Sequence, residues 1–225
     1  MRELIRKLVE SYGPSGTEEQ IRDVIRAEVK PLVDDLRVDA MGSLIAHVEG
    51  NGSGTDEGRR LILDAHMDEI GVMVTYIDED GFARFTSIGG VSPLTCIGSR
   101  VAFEDGRIGV IHVEEKRDDT SKVPKLDQLY MDVGATSRDD CPVKIGEPAV
   151  FTRSFVAQGT RLVSKAMDDR IGCAVLIELL RRLGGTPHDL YVVFAVQEEV
   201  GLRGARTSAY GIEPDMAIAV DVTRT

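Results

Sequence analysis

The chain has 225 residues, enough to bury a full hydrophobic core, and its 42% hydrophobic and 29% charged residues are typical of a soluble globular protein. A net charge of −11, from 27 basic and 38 acidic residues, argues against nucleic acid or an anionic membrane as a partner. The three cysteines have no close spacing, which is typical of a reduced protein rather than a disulfide framework. The N-terminal segment is typical of an amphipathic helix rather than a signal peptide, and no apolar run has membrane-spanning length. Together these features indicate a reduced, cytoplasmic protein.

Two amphipathic helices are predicted at the N-terminal end. In the first, apolar residues recur on one face from Leu4 to Val9, and a Gly-Pro pair ends the helix. Ser15 and Glu18 have the spacing of a capping box, which predicts the start of a second helix that ends before Pro31.

Three short strands follow these helices. The first two are expected around Leu36–Val38 and Leu44–Val48. In the third, within "RLILDAH", the apolar run Leu61–Leu63 indicates a buried strand that ends at His66, a histidine close to several carboxylates.

The middle of the chain, residues 70–156, has a hairpin pattern. "YIDEDGFARF" and "VAFEDGRIGV" are apolar runs joined by Asp/Gly turns, and the polar stretch "EEKRDDTSKVPKLDQ" predicts a mobile loop. The hairpins carry apolar residues such as Ile108, Val110 and Ile111, which we expect to be buried against a partner. This pattern predicts a β-rich insertion between two parts of one domain, residues 1–69 and 157–225.

Helices and strands alternate again in the last part of the chain. The pattern predicts helix Asp168–Leu183, strand Leu190–Val196, a short helix near Leu202–Tyr210 and strand Met216–Val220. Alternation of this kind predicts an α/β fold, with a mostly parallel or mixed sheet flanked by helices.

Potential metal ligands lie at the carboxyl ends of three apolar strands in the two parts of the predicted α/β domain. His66, the pair Glu198–Glu199, and Asp221 each end such a strand, and Asp168 would open a helix. In open parallel sheets this edge is where ligands bind. A mixed set of His, Asp and Glu without cysteine is typical of a catalytic rather than a structural metal site.

Each of these residues also has a structural explanation. His66 alone could be a buried, hydrogen-bonded histidine, Asp168 a helix cap, and Asp221 a turn residue. The adjacent Glu198 and Glu199 are harder to explain in this way, because two acids beside a core repel each other and are costly to bury unpaired. A nearby cation would remove this difficulty, so we favour a metal site.

Four segments, in this order, resemble the metal-site motifs of the tetrahedral and glutamyl aminopeptidases of metallopeptidase family forty-two: "LDAHMDEIG", "SKAMDDRIGCAV", "AVQEEVGLRGA" and "AIAVDVT". "GPSGTEEQIRD" and "LYMDVGATSRDD" are similar to family motifs too. The resemblance implies a cytoplasmic, two-metal exopeptidase that removes N-terminal residues from peptides. It also implies a di-zinc exopeptidase-like catalytic domain, with an insertion through which dimers form and assemble, in many members, into a dodecamer.

Carried over residue by residue, the resemblance implies a role for each candidate. His66 and Asp221 would bind one metal ion, Glu199 the other, and Asp168 would bridge the two ions, with zinc or cobalt the expected metals. Asp68 would hydrogen-bond the far nitrogen of His66, and Glu198 would be the general base. Because neighbouring strand residues point to opposite sides, we expect Glu198 and Glu199 to serve different purposes.

The pattern departs from the family at its end, because members continue beyond the strand that carries Asp221 and a later histidine completes the second metal site. The chain has no histidine after His188, so we expect a truncated form with at most one tightly held metal and little activity. A catalytically impaired assembly subunit of the same family remains an alternative. A glycoside hydrolase, with Glu198 and a second carboxylate beside a sugar, is disfavoured because the chain has no Trp and only 5% aromatic residues.

Overall fold

A computed structural model describes residues 1–52, 58–114 and 121–223. The helices and strands are, in chain order, α1 (Arg2–Glu10), α2 (Glu19–Val29), β1 (Asp35–Val38), β2 (Leu44–Val48), β3 (Arg60–His66), β4 (Gly71–Ile77), β5 (Ala83–Ile88), α3 (Pro93–Cys96), β6 (Arg100–Phe103), β7 (Ile108–Val113), β8 (Leu129–Asp132), β9 (Pro148–Phe151), β10 (Val156–Gln158), β11 (Arg161–Val163), α4 (Met167–Arg182), β12 (Asp189–Ala195), α5 (Arg203–Ile212) and β13 (Met216–Ala219). Short 3-10 helices occupy Lys30–Leu32 and Leu126–Gln128. No helix within the described ranges is both long and apolar enough to cross a membrane.

The chain divides into two compact units. The first contains Met1–Glu69 and Ser154–Thr225, and the second contains Ile70–Arg153. The predicted end of the insertion at residue 156 falls in β10, a strand of the first unit that pairs with β11.

The first unit contains a five-stranded sheet in the order β1-β2-β12-β3-β13. The central strand β3 is parallel to both β12 and β13, whereas β2 is antiparallel to β1 and β12, so the sheet is mixed. His66 pairs with Ala195, and Asp64 pairs with Ala219. The carboxyl ends of the three parallel strands therefore meet at one edge of the sheet.

Helices cover both faces of this sheet because strand side chains alternate between the faces. Val192 and Phe194 belong to a core shared with α1, α2 and α4, whereas Val193 and Ala195 belong to a core shared with α5. The predicted apolar face of α1 is confirmed, since Leu4, Ile5, Leu8 and Val9 are all buried. Full burial of such a side chain contributes roughly 1.5–3 kcal/mol, which fixes each helix on its face of the sheet.

A buried arginine links the end of α1 to the start of α4. Arg170 is fully buried, and its guanidinium donates to the carbonyl oxygens of Leu8 at 2.6 Å and Gly13 at 3.4 Å. Its Nη2 lies 3.5 Å from Oε1 of Glu69, which also accepts a hydrogen bond from Lys165 at 2.6 Å. The charge of Arg170 is therefore paired inside the core.

The predicted capping box is wrong. α2 begins at Glu19, and within the described residues no side chain caps it. The Ser15 hydroxyl instead donates to Oδ2 of Asp68 at 2.5 Å, and the Glu18 carboxylate accepts from the Gly16 N–H at 2.7 Å. Both polar groups are buried beside the sheet edge, where longer-range partners replace the helix terminus.

The second unit is a closed barrel with the strand order β4-β5-β8-β7-β6-β9. Both predicted hairpins are present, as β4–β5 and β6–β7. Ile111 is fully buried inside the barrel, so the expectation that it faces a partner is wrong, whereas Ile108 is 46% exposed. Residues 115–120 of the predicted mobile loop lie outside the described part of the chain.

Candidate metal centre

His66 is the last residue of β3, and its side chain is only 3% exposed. Its Nε2 lies 3.0 Å from Oδ1 of Asp168 and 3.7 Å from Oε2 of Glu198. Because the parallel strands β12 and β13 end beside β3, groups that are far apart in the sequence converge on this imidazole.

Two groups of potential ligands share His66. In one, His66 combines with Asp168 and Asp221, and in the other it combines with Glu198 and Glu199. In each group one nitrogen or oxygen atom per residue lies within 4.8 Å of the others. The structure thus brings together all five candidate ligands, the four predicted at strand ends and Asp168, predicted at a helix start.

Asp168 lies at the start of α4, where the backbone is not yet helical. Asp168 has φ −84° and ψ 111°, and Asp169 has φ −117° and ψ 38°. The Asp168 side chain is 60% exposed, whereas Asp169 is fully buried and its Oδ1 accepts from the Gly172 N–H at 3.0 Å. Asp169 therefore caps the helix, which leaves Asp168 free to face His66.

Asp68 lies on the other side of the imidazole. Its Oδ1 is 3.4 Å and its carbonyl oxygen 3.2 Å from Nδ1 of His66. The same buried carboxylate accepts hydrogen bonds from the backbone N–H groups of Glu198 at 2.9 Å and Glu199 at 3.2 Å. One side chain thus contacts both the histidine and the turn that carries the two glutamates.

Glu198 and Glu199 lie beyond the end of β12, in a turn. The interpretation of these glutamates as neighbouring strand residues is therefore wrong. Gln197, which precedes them, has φ +55°, a left-handed conformation that is uncommon for a residue other than glycine. The turn changes the direction of the chain after β12, so the side chains of both glutamates lie close to His66.

The site holds more negative charge than it can balance by itself. Burial, with Asp168 as the next cause, raises the pKa of Glu199 to about 7. Burial also raises the pKa of Glu198, and the negative charges of Asp68 and Asp221 add to that effect. For His66, burial favours the neutral ring, but hydrogen bonds to Asp168 and Asp68 outweigh it and raise the pKa to about 11.

This donor set fits a divalent metal ion. One imidazole with several carboxylates is a ligand combination that zinc, cobalt and manganese accept. A cation at this position would balance the repulsion that raises the carboxyl pKa values, and it would take over the imidazole nitrogen that now lies beside Asp168.

Two acids at the site had no assigned role in the sequence analysis. Burial raises the pKa of Asp64 to about 7, and the charges of Glu198 and Asp221 contribute to that shift. Asp64 precedes His66 by two residues on β3. Because every second residue of a strand faces the same side, the sequence could have indicated that Asp64 and His66 share a face. The burial of Asp169 depends on the non-helical backbone at the start of α4, which no local pattern in the sequence indicates.

A cavity of about 340 Å³ opens beside these residues within the first unit. Its polar lining includes His66, Glu198 and Asp221, and its apolar lining comes from β3, β13 and α5. The site therefore combines a cluster of ligating groups with an adjoining apolar space.

Comparison with known proteins identifies a consistent group. Residues 42–225 match the model of the M42 glutamyl aminopeptidase family. The chain is 48% identical to a putative aminopeptidase of Acetivibrio thermocellus, over all of this chain and 67% of that protein. It superposes on an aminopeptidase from the archaeon Desulfurococcus kamchatkensis with a TM-score of 0.90 and 41% identity, over 98% of this chain and 62% of the other.

A third similar structure is the TET1 peptidase of Pyrococcus horikoshii, described as able to assemble into a tetrahedron or a large octahedral shell. Its TM-score is 0.86 at 33% identity, over 98% of this chain and 68% of that one. The chain thus spans about two thirds of the length of the proteins it matches.

Proposed function

We propose that the first unit forms the metal-binding catalytic part of an aminopeptidase that removes N-terminal residues from peptides. The reason for the proposal is that the chain belongs to the M42 glutamyl aminopeptidase family. The observation that carries this proposal is the convergence of His66 with Asp168, Asp221, Glu198 and Glu199 at the carboxyl edge of the sheet. This edge is where open parallel sheets bind ligands.

We assign the ligands as follows. His66, Asp168 and Asp221 would hold one divalent ion, and Glu199 with the shared Asp168 would hold a second, with zinc or cobalt the metals that suit these donors. Two such ions, when bound, supply the charge that acidifies a water molecule and polarises the scissile carbonyl. Asp68, within 3.4 Å of Nδ1, would keep the His66 ring oriented with Nε2 towards the ligand cluster.

Glu198 would be the general base. Its carboxylate reaches the cavity beside His66, and its backbone is fixed by Asp68. Burial and the surrounding acids raise its pKa, which brings the group closer to the pH at which a base can both accept and return a proton. In the reaction, the Glu198 carboxylate would accept a proton from the attacking water and pass it to the leaving amine.

The second unit would mediate assembly. Several large apolar side chains of this unit are exposed, among them Leu94 at 64%, Ile145 at 64% and Ile108 at 46%. An exposed apolar surface of this kind favours a protein partner. We propose a homodimer through this unit, which assembles further as described for TET1 of Pyrococcus horikoshii, in a cytoplasmic protein.

The substitution Glu198→Gln tests the catalytic assignment on the entire product of the gene. We expect wild-type metal content and a loss in kcat of roughly a hundred- to ten-thousand-fold, because only the proton acceptor is removed. Elemental analysis after dialysis and hydrolysis of aminoacyl anilides are measured on the same sample. Glu213→Gln, at an exposed glutamate of the first unit, is the matched control and should retain activity.

Three results would contradict the proposal. Full anilide hydrolysis by Glu198→Gln would show that Glu198 is not the base. Wild-type peptide hydrolysis that persists in EDTA would exclude a metal-dependent peptidase, and polysaccharide hydrolysis that persists in EDTA would favour the glycosidase alternative. Bound metal without peptide hydrolysis by the wild type would indicate an assembly subunit without catalytic activity.

A further inference from the structure

Glu18 is a buried acid with no place among the proposed ligands or in the proposed proton transfer. It lies just before α2 and is only 4% exposed. Its Oε1 accepts hydrogen bonds from the backbone N–H of Gly16 at 2.7 Å and from the backbone N–H of Gln197 at 3.2 Å. The second contact joins positions 179 residues apart in the chain, so it depends on the tertiary fold.

Gln197 is the entry point of the turn that carries the two active-site glutamates. Its φ of +55° is held although its side chain disfavours that conformation. The next two N–H groups, of Glu198 and Glu199, donate to the Asp68 carboxylate. Three successive N–H groups of the turn therefore donate to two buried carboxyl groups, and these hydrogen bonds fix the backbone of the turn.

The two buried carboxyl groups, of Glu18 and Asp68, are linked by the short segment from Ser15 to Glu18. Ser15 lies three residues before Glu18, and its hydroxyl donates to Oδ2 of Asp68 at 2.5 Å. The Ser15 N–H lies 3.4 Å from the carbonyl oxygen of Glu69. The segment from Ser15 to Glu18 thus connects the end of β3 with the turn after β12.

We propose that Glu18 is a positioning residue for Glu198 and Glu199. It accepts the hydrogen bond of the Gln197 N–H and thereby holds the turn that carries both glutamates. This inference rests on the proposed function. An acceptor is needed here, because the backbone N–H groups of Gly16 and Gln197 both donate to this buried side chain. Burial raises the pKa of Glu18 to about 7, and the amide oxygen of a glutamine would accept from the same two N–H groups. Glu18→Gln should therefore preserve the arrangement, whereas Glu18→Ala and Glu18→Met should release it.

The first measurement is made on the metal-free 225-residue chain and needs no activity. We follow the amide NMR signals and hydrogen exchange of residues 197–199. In Glu18→Ala these signals should shift, and exchange at Gln197 should become on the order of ten-fold faster. In Glu18→Gln both should stay close to wild type. Glu18→Met, which preserves side-chain length, replaces the Ala variant if that variant does not fold.

The second measurement is the affinity for zinc. Removing an outer group that positions ligands typically weakens metal binding by 10- to 100-fold, and we expect a loss in this range for Glu18→Ala, with Glu18→Gln near wild type. In the catalytically active form, kcat should fall while KM for an aminoacyl anilide stays constant. Glu28→Ala is the matched control. It removes a glutamate of α2, the helix that Glu18 precedes, and this glutamate pairs with Lys7 and Arg181. The change should lower thermal stability without changing the signals of residues 197–199.

The outcomes separate this inference from the proposed function. Unchanged signals and exchange in Glu18→Ala and Glu18→Met would overturn the positioning role, whatever the wild type binds. A wild type that binds no zinc would refute the proposed function, and the NMR comparison would still decide the role of Glu18. A Glu18→Gln variant that behaves like Glu18→Ala would refute the view that an acceptor is what the position requires.

Discussion

A glycine at the start of α4 offers a sharp test of the metal-site geometry. Gly172 is helical, so a change to alanine would normally stabilise the helix by up to about 1 kcal/mol. An added Cβ would, however, lie 2.4 Å from Oδ2 and 2.5 Å from Oδ1 of Asp169, closer than such atoms can approach. We therefore predict that Gly172→Ala destabilises the protein.

The contacts around Asp169 set the magnitude. The carboxyl group must rotate away, which breaks its hydrogen bond to the Gly172 N–H and leaves a fully buried carboxyl without that donor. A buried carboxyl group left without its donor costs roughly 1–3 kcal/mol, which outweighs the gain in helix propensity of at most about 1 kcal/mol. The net loss of up to about 2 kcal/mol corresponds to a fall in Tm of up to roughly 8 °C for a chain of this size.

Calorimetry of two variants decides the matter. In Gly211→Ala, within α5, the new Cβ has no atom within 4 Å, so this variant should gain about 0.5–1 kcal/mol. Gly172→Ala should also bind zinc more weakly, because a displaced Asp169 no longer fixes the backbone of Asp168. A stabilised Gly172→Ala with wild-type zinc affinity would refute the reasoning.

Three further predictions concern pH, metal binding and assembly. The pKa values of Glu199, Asp64 and Asp169 are raised to about 7 in the metal-free fold, so the folded state holds more protons than the unfolded state between about pH 4 and pH 7. The Tm of the metal-free protein should therefore fall as pH rises through that window, while the gain in Tm from saturating zinc should grow. Differential scanning calorimetry with and without EDTA measures both, and a zinc-induced gain that shrinks with rising pH would contradict the prediction. Zinc should also displace the proton of His66, whose pKa is about 11, so calorimetric binding enthalpies should depend on the ionisation enthalpy of the buffer. For assembly, light scattering should show a dimer or larger species, and Ile145→Asp on the second unit should weaken it, whereas a monomeric wild type would contradict the proposed interface.

The elements of the first unit could be predicted well from the sequence. Apolar periodicity located α1, β3 and β12 because these segments bury one or both faces against the same core. The convergence of His66, Glu198 and Asp221 could also be predicted, since parallel neighbours end at one edge. The assignment of each residue to a metal ion or to proton transfer remains a prediction.

The errors over the capping box and the glutamate pair share one physical origin, which is competition from distant hydrogen-bond partners. The Ser15 hydroxyl could satisfy a helix terminus locally, but it donates to Asp68, 53 residues away. The glutamate pair could continue a strand, but the N–H groups of Glu198 and Glu199 turn to the same carboxylate. Local patterns do not contain such partners, so the details of the turn after β12 and of the start of α4 could not be read from the sequence.

The closure of the barrel determines how easily its segment of the chain could be removed or replaced. Gly71 at the start of the barrel pairs with Val150 near its end, so the first and last strands are hydrogen-bonded neighbours. Its chain therefore enters and leaves at adjacent points, separated by about 5 Å as in any antiparallel pair. A segment with adjacent ends can be inserted, exchanged or removed with little strain on its host. We therefore expect that a short linker could replace residues 70–153 without stretching the chain of the first unit.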